Sequence, residues 1–334
     1  MYGKILGGLL GGAIGDAMGA ATETRSTDQI IERFGGPVTE FLTPPDDVFA
    51  RGFEAGAVTD DFSLAYCTAK AIVAHGGEVD ASTARDALLN WSETRYFCLA
   101  GPTTVGAVKK LRGEEVPDSK NAFLTVDNSK GSNGSAMKIA PVGLCSKGDV
   151  KKAIRDAITI CMPTHGNSTA LAGGCAVAAA VSAALHDGAT ADEVIRAGLA
   201  GAEQGDAWGK RIGKELACPS VYKRILLAVE IAKRFDGDMD RTMRELADII
   251  GTGLSAAEAV PSAFGLFYAA KGDPMKTIIA GVNIGNDTDT VATIAGAIAG
   301  TYAGTNGEME RYLETLDRVN GYDLRALARE IEAL

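Results

Sequence analysis

Apolar residues recur at steps of three and four along most of the chain, a spacing that predicts amphipathic helices. In the second half of the stretch 281–304 these positions share one helical face. They are Val291, Ile294, Ala295, Ile298, Ala299 and Tyr302. A second face carries glycine at every fourth position, at Gly296, Gly300 and Gly304. Because glycine costs about 1 kcal/mol relative to alanine in a helix interior, this spacing predicts close packing against another backbone.

Residues 4–20 have the same glycine spacing and are predicted to be a helix of the same kind. Periodicity and capping residues predict further helices. They cover residues 60–75, 80–94, 101–111, 148–162, 167–185, 190–203, 220–235, 238–251, 254–271, 273–281, 308–318 and 322–333. Residues 24–58 and 113–128 are predicted to be irregular, and residues 205–219 to be loop with some helix. We find no convincing strand, linker or repeat, so we predict a single all-α domain spanning residues 1–334.

Composition and charge narrow the classes of protein. Hydrophobic residues make up 46% of the 334-residue chain and charged residues 23%, which is typical of a soluble globular protein. The formal net charge of -10 argues against nucleic acid held by bulk attraction. A small phosphate-bearing molecule held by local backbone amides remains compatible with it.

The cysteines and the N-terminus indicate a reducing compartment. None of the six cysteines belongs to a CxxC pair, so we expect free thiols. Asp16 and Glu23 interrupt the apolar N-terminal run, which argues against a signal peptide, and no run reaches transmembrane length. We expect a cytoplasmic protein that does not bind membranes.

Two acidic clusters each combine two carboxylates with a threonine at the start of a helix. They are Thr59, Asp60 and Asp61, and Asp287, Asp289 and Thr290. The simplest interpretation is helix capping. Capping uses one oxygen per helix, however, and both helices are too apolar for the surface. If the four carboxylates converge in the core, they repel one another by several kcal/mol unless cations intervene.

The ligand chemistry of these clusters favours hard cations. Oxygen ligands without histidine or cysteine suit Mg²⁺, Mn²⁺ or Ca²⁺ rather than zinc. The spacing does not fit the twelve-residue EF-hand loop. With four or five carboxylates, a two-metal site that polarises a substrate and activates a water is plausible.

Five motifs resemble, in their order, the motif set of the ADP-ribosylglycohydrolase family, which includes dinitrogenase reductase-activating glycohydrolase and the ADP-ribosylarginine and ADP-ribosylserine hydrolases. They are GDAMGAATE (15–23), VTDDFS (58–63), GSNGSAMKIAPVGL (131–144), THGN (164–167) and GNDTDTVATIAGAIAG (285–300). The resemblance implies a compact, orthogonal all-α fold with a central site for two Mg²⁺ or Mn²⁺ ions. The implied metal ligands are Thr59, Asp60, Asp61, Asp287, Asp289 and Thr290.

The resemblance also implies roles for other residues. Glu23 matches a glutamate beside the metals, and Glu23 or Asp61 would act in catalysis by taking a proton from water. The implied substrate-binding residues are Gly101, Gly131, Ser132, Asn133, Gly134, Ser135, Met137 and His165. Simpler structural interpretations exist for three of these features. The segment 131–138 could be a surface turn, His165 a helix cap and Glu23 a surface acid. A solvated side chain is the simpler interpretation of Lys138.

Three positions depart from the family pattern. Phe62 stands where a threonine or serine is usual, Asn286 where a glycine is usual, and Lys138 where an arginine is frequent. Phe62 and Asn286 would narrow the pocket or change the leaving group, but neither removes an expected metal ligand.

The sequence therefore predicts a metal-dependent hydrolase that releases ADP-ribose, or a related ribosyl group, from a modified protein or small molecule. One alternative is an N-glycoside hydrolase acting on a free nucleoside or nucleotide. Another is a non-catalytic ADP-ribose-binding protein. The last is a structural helical protein whose acids are only caps.

Overall fold

A computed structural model of the protein describes residues 1–116 and 123–334. The helices follow one another as α1 (Tyr2–Gly19), α2 (Thr27–Phe34), α3 (Asp60–Ala74), α4 (Ala81–Ser92), α5 (Pro102–Leu111), α6 (Ala140–Cys145), α7 (Val150–His165), α8 (Ser168–Ala184), α9 (Ala191–Ile212), α10 (Val221–Arg234), α11 (Met239–Glu245), α12 (Ala256–Ala269), α13 (Pro274–Asn283), α14 (Thr288–Ala303), α15 (Gly307–Glu310), α16 (Leu313–Asn320) and α17 (Leu324–Ala333).

Short helices of other kinds complete the structure. Three 3-10 helices span Arg95–Leu99, Asn128–Lys130 and Asn133–Ser135, and a π-helix spans Leu246–Ile250. Over residues 1–116 and 123–334, extended pairing is limited to isolated bridges, which confirms the all-α prediction. Part of the predicted irregular segment 113–128 lies outside the described residues.

The centre of the molecule is an antiparallel pair of helices, α1 and α14, whose backbones touch. A Cβ on Gly11 would lie 2.0 Å from the carbonyl oxygen of Gly296, and one on Gly7 would lie 2.2 Å from that of Gly300. Any side chain at these positions would force the helices apart, so the predicted close packing is confirmed. Gly304 is an exception, because it lies beyond α14 with a φ of +78°. The pairing joins the first helix of the chain to a helix near its C-terminal end, and it places the start of α14 beside the end of α1.

A second pair of helices, α8 and α9, is also packed closely through glycines. Here the predicted length of α9 was wrong. α9 continues to Ile212, whereas the sequence predicted a helix ending at residue 203, followed by loop with some helix over residues 205–219. Gly205 and Gly209 favoured loop, but a Cβ on Gly205 would lie 2.3 Å from the Leu171 carbonyl oxygen of α8. These glycines are therefore packing residues inside a helix.

Two short helices were not predicted. α2 lies within the segment 24–58 that was predicted to be irregular; it begins with a capping box formed by Ser26 and Gln29. It has only eight residues, of which Thr27 and Ile30 are buried, so its apolar face is too short to form a repeating pattern. α6 follows the segment 131–138 and contains Pro141 in its first turn, where proline is tolerated.

Two further observations concern the environment of the protein. No helix within the described residues has the length and apolar character that crossing a membrane requires. All six cysteines are free thiols; Cys145, Cys161 and Cys175 are buried.

Candidate active site

The site forms where α1 ends, between the starts of α3 and α14. Asp16, near the end of α1, is fully buried. Both of its carboxylate oxygens accept from the Thr59 amide at 3.0 Å, and Oδ2 also accepts from the Phe62 amide at 2.8 Å. The Thr59 hydroxyl accepts from the Asp61 amide at 3.3 Å. The first amides of α3 are thus satisfied by Asp16 and Thr59, which leaves the Asp60 and Asp61 carboxylates free for another partner.

The start of α14 is held against the end of α1 without intervening side chains. A Cβ on Gly19 would lie 2.5 Å from the Cα of Asp289. The Thr22 hydroxyl is 2.7 Å from the Val282 carbonyl oxygen and 2.9 Å from the Thr288 hydroxyl. These buried contacts place the second acidic cluster directly beside the residues that follow α1.

Glu23 is positioned by a contact between two residues with left-handed backbones. Thr24 has a φ of +67° and Asn286 a φ of +66°. The Thr24 amide donates to the Asn286 carbonyl oxygen, and the Asn286 amide donates to that of Arg25, both at 2.8 Å. Left-handed backbone costs about 1–3 kcal/mol for a residue other than glycine and occurs mainly at functional sites. The contact fixes Glu23 beside Asp287.

The predicted acids converge. One carboxylate oxygen from each of Glu23, Asp287 and Asp289 lies within 4.8 Å of the other two. Burial and then the charges of Asp60, Asp16 and Asp287 raise the pKa of Asp61, and the charge of Asp61 contributes to raising the pKa of Asp289, so the two clusters lie within electrostatic reach of each other. Segments more than two hundred residues apart in sequence therefore meet at one place in the fold.

Helix capping does not account for these acids. α3 is capped by the Thr59 side chain, and Asp287, at the N-cap position of α14, makes no capping hydrogen bond with its side chain. The Oε2 atom of Glu23 and the Oδ2 atom of Asp61 are buried, and neither has a hydrogen-bond partner among residues 1–116 and 123–334. Glu23 is 6% exposed, so the interpretation of it as a surface acid is wrong. Buried carboxylate oxygens without partners are costly unless something else binds them.

Burial raises the pKa of every carboxyl group at the site, and neighbouring acids raise it further for Glu23, Asp60, Asp61 and Asp289. Burial raises the pKa of Glu23 to about 8, with further contributions from the charges of Asp287 and Asp60. Burial raises the pKa of Asp60 to about 7 and that of Asp16 to about 6. The pKa values of Asp61 and Asp289 lie well above the usual range, first because of burial and then because of neighbouring acids. A nearby cation would remove this cost.

The donor set fits hard divalent cations. It is made of carboxylate and hydroxyl oxygens, and two buried carboxylate oxygens lack a partner. Mg²⁺ and Mn²⁺ prefer such ligands. The residues whose oxygens lie close enough together to share an ion are Glu23, Asp287 and Asp289. The assignment of Thr59, Asp60, Asp61, Asp287, Asp289 and Thr290 as the metal ligands stays a prediction.

The glycine- and serine-rich segment 131–137 lies against this acidic centre. The Asn133 side chain donates to Oδ2 of Asp287. Ser132 is partly exposed, and its hydroxyl lies 3.0 Å from Nε2 of His165. A Cβ on Gly134 would lie 2.8 Å from the same nitrogen. The structure therefore brings Ser132, Asn133, Gly134 and His165 together beside the acids.

Other residues of the implied substrate-binding set have their polar groups engaged within the protein. The amides of Gly131, Asn133 and Met137 donate to the carbonyl oxygens of Asn128, Leu254 and Asn133. The Ser135 hydroxyl is fully buried and donates to the Ala170 carbonyl oxygen at 2.6 Å.

Gly101 makes no hydrogen bond to the segment 131–137 within the described residues. It is exposed at the start of α5, and its carbonyl oxygen accepts from amides of that helix. A Cβ there would meet nothing within 4 Å. Its assignment to substrate binding stays a prediction.

Two simpler interpretations of this region are wrong. Lys138 is 1% exposed rather than solvated, and its ammonium group donates to the Thr164 hydroxyl. His165 does not cap α8, because Asn167 does so by accepting from the Ala170 amide. Both side chains are buried beside the candidate site.

The two bulky departures from the family pattern are accommodated differently. The ring of Phe62 lies in the core, where a Cβ on Gly12 would be 3.2 Å from it, and it packs against Tyr322. Asn286 takes the left-handed backbone that glycine adopts most easily, and its side chain is exposed.

Asp16 belongs to the site but was not predicted to do so. Its position in the motif GDAMGAATE was the available signal, together with an unexplained acid in an apolar helix. The buried hydroxyl contact between Thr22 and Thr288 gave no signal, because threonine in a helical segment is common.

Comparisons with known proteins agree with this geometry. A sequence profile of the ADP-ribosylglycohydrolase family matches residues 1–334. Uncharacterized protein YegU of Escherichia coli K12 is 31% identical over 295 residues, which are 88% of this chain and 86% of that protein. ADP-ribosylhydrolase ARH3 of Homo sapiens is 30% identical over 242 residues, 68% of this chain and 65% of that protein.

A solved structure shares the fold. The ADP-ribosylglycohydrolase-related protein complex superposes with a TM-score of 0.64 at 22% identity, covering 99% of this chain and 98% of that one. The profile match extends over the whole chain, and both carboxylate clusters expected from the motifs occur at one place in the fold. The chain therefore belongs to the ADP-ribosylglycohydrolase family of glycosidic-bond hydrolases.

Proposed function

We propose that the protein is a Mg²⁺- or Mn²⁺-dependent hydrolase that releases ADP-ribose from a modified protein side chain or an ADP-ribosyl small molecule in the cytoplasm. The observation that carries the proposal is that two buried carboxylate oxygens, Oε2 of Glu23 and Oδ2 of Asp61, have no partner among the described residues, and that Glu23 lies beside Asp287 and Asp289. A fold that only needed helix caps would not retain them, because their burial is unfavourable without a bound cation.

A bound divalent ion would neutralise the acids, polarise a ligand oxygen and make a water more acidic. The protein supplies the remaining functions. Asp16 and Thr59 hold α3 so that Asp60 and Asp61 face the acids of α14. Asn133 joins the segment 131–137 to Asp287, and this connection would orient the ribose and diphosphate relative to the acids.

Hydrolysis requires one proton to be taken and one to be given. Water adds to the anomeric carbon while the bond from that carbon to the leaving nitrogen or oxygen breaks. Glu23 or Asp61 takes the proton of the water and, now a carboxylic acid, gives it to the leaving atom, which restores the carboxylate. Glu23 suits this role because its Oε2 atom has no partner within the protein and its fixed neighbours, Thr24 and Arg25, hold its backbone.

The test is a substrate panel with metal present. The protein is incubated with peptides carrying ADP-ribose on arginine or on serine, and with free nucleosides and nucleotides, in Mg²⁺ or Mn²⁺. We expect release of ADP-ribose from an ADP-ribosyl substrate, and at least a hundredfold loss of turnover in Asp61→Asn and Glu23→Gln. Asp80→Asn is the matched control, since Asp80 is exposed and its carboxylate accepts from the amides of Ser82 and Thr83 at the start of α4.

Other outcomes favour the alternatives. Turnover of nucleosides alone would replace the proposal with an N-glycoside hydrolase. ADP-ribose binding without turnover of any substrate would indicate a binding protein.

A further inference from the structure

The buried lysine Lys138 has a role that burial alone does not explain. Its side chain is fully enclosed, and within the described residues no carboxylate pairs with it. Its ammonium group donates to the Thr164 hydroxyl oxygen at 2.9 Å. An unpaired cation inside a protein is costly, so a chain that needed only to fill this space would use an apolar side chain.

Lys138 is the first member of a continuous chain of hydrogen bonds that ends at the candidate site. The Thr164 hydroxyl oxygen lies 2.7 Å from Nδ1 of His165, and Nε2 of His165 lies 3.0 Å from the Ser132 hydroxyl oxygen. The ring can approach the segment 131–137 this closely because residue 134 is glycine. Ser132, the last member, is partly exposed beside Asn133, which contacts Asp287.

The donors and acceptors of this chain follow from its first member. An ammonium group only donates, so the Thr164 oxygen accepts from Lys138. The Thr164 hydroxyl proton then has two acceptors, Nδ1 of His165 at 2.7 Å and the Cys161 carbonyl oxygen at 3.3 Å. The shorter contact favours Nδ1.

The imidazole of His165 is neutral, which leaves one proton on the ring. Burial, and then the charge of Lys138, lower the pKa of His165 to about 3. If Nδ1 accepts from Thr164, the ring proton is on Nε2 and is donated to the Ser132 oxygen. The hydroxyl proton of Ser132 is then free to point into the site.

We propose that Lys138 is a positioning residue that, through Thr164, fixes His165 as the Nε2–H tautomer, so that Ser132 presents its hydroxyl proton to a phosphate oxygen of the substrate. The proposal rests on the proposed function for the identity of that acceptor. Phosphate oxygens of a diphosphate only accept hydrogen bonds, so the segment 131–137 must offer donors. With the opposite tautomer, Ser132 would donate to His165 and present only lone pairs.

The tautomer can be measured directly. The chain has three histidines, so the ring ¹⁵N–¹H couplings of His165 are assigned by comparison with His165→Gln. We expect the wild-type protein to show a protonated Nε2 and a bare Nδ1 between pH 6 and pH 8. A protonated Nδ1 in the wild-type protein overturns the proposal, and this result requires no variant to fold.

Variants test the part played by Lys138. In Lys138→Met the Thr164 oxygen loses its donor and can accept from Nδ1–H, so we expect the Nδ1–H tautomer to become populated. Lys138→Arg keeps a cationic donor and should keep the wild-type tautomer. A folded Lys138→Met protein with an unchanged tautomer overturns the proposal.

Binding measurements distinguish a positioning role of Lys138 from a purely structural one. The affinities for ADP-ribose and for inorganic pyrophosphate are measured by calorimetry with Mn²⁺ present. Lys138→Met and Ser132→Ala should each weaken binding about tenfold. The double variant should bind no more weakly than Ser132→Ala, because Lys138 acts through that hydroxyl. Losses that multiply in the double variant overturn the proposal. If neither ligand binds the wild-type protein, the proposed function fails while the tautomer result still decides the role of Lys138.

Discussion

Asp16→Asn should weaken metal binding although Asp16 is not among the expected ligands. The carboxylate accepts from two backbone amides at the start of α3, those of Thr59 and Phe62. Asparagine has nearly the same shape but only one acceptor oxygen. An asparagine oxygen at the Oδ2 position could still accept from both amides, but the acceptor would be uncharged and the side-chain nitrogen would stand where Oδ1 accepted from the Thr59 amide, donor against donor.

The magnitude follows from these contacts. A hydrogen bond to a charged acceptor contributes about 1.5–3 kcal/mol, roughly twice a neutral one, and the substitution also places two N–H donors against each other in a buried position. Because the weakened contacts lie at the residues that carry Asp60 and Asp61, the carboxylates of α3 would lose their fixed orientation. Groups that orient metal ligands typically account for about 10–100-fold in metal affinity. We therefore expect Asp16→Asn to raise the Kd for Mn²⁺ by about that factor.

The assay is isothermal titration of metal-free protein with Mn²⁺, with circular dichroism to show that each variant is folded. Asp80→Asn is the matched control, because Asp80 accepts from the amides of Ser82 and Thr83 at the start of α4. It should lose a similar cap and keep the wild-type Kd for Mn²⁺. A folded Asp16→Asn protein whose Kd stays within threefold of the wild-type value would refute the orienting role of Asp16.

Three further predictions concern stability. Gly296→Ala places a Cβ 2.3 Å from the Gly11 carbonyl oxygen, so urea unfolding should show a loss of at least about 1–3 kcal/mol, whereas Gly307→Ala, in open space, should change little. The metal-free protein should lose thermal stability from pH 5 to pH 8, because the raised pKa values of Glu23 (about 8) and Asp60 (about 7) mean that the folded state binds more protons than the unfolded state. Mn²⁺ at a hundred times its Kd should add about 2.7 kcal/mol, and a stability that rises with pH without metal would contradict this reasoning. Thr24→Gly should raise the free energy of unfolding by up to about 1 kcal/mol, since Thr24 is exposed with a φ of +67°; a clear loss would show that its backbone is not strained.

Much of the architecture could be predicted from local pattern. The glycine spacing around Gly11 and Gly296 predicted close backbone contact because only glycine permits it, and the structure shows these two residues against each other. The same residue type misled the prediction at Gly205, where a helix-packing glycine was taken as a loop signal. Glycine alone does not distinguish the two cases without knowledge of the partner helix.

The candidate site was less fully predictable, because its geometry depends on contacts between distant segments. The motifs identified Asp61 and Asp289, but nothing local shows that Asp16 satisfies the amides of α3. Lys138 was expected to be solvated because lysine usually is, but in the fold its side chain is enclosed and its ammonium group reaches Thr164 of α7. Buried polar connections of this kind become visible when the whole fold is known.

The most direct test of the account is anomalous diffraction from crystals of the protein grown with Mn²⁺. The account predicts two Mn²⁺ peaks between the starts of α3 and α14, with ligand oxygens from both acidic clusters, including Asp60 and Asp289. Manganese bound to only one cluster, or no manganese between them, would contradict the claim that the two clusters form a shared divalent-metal site.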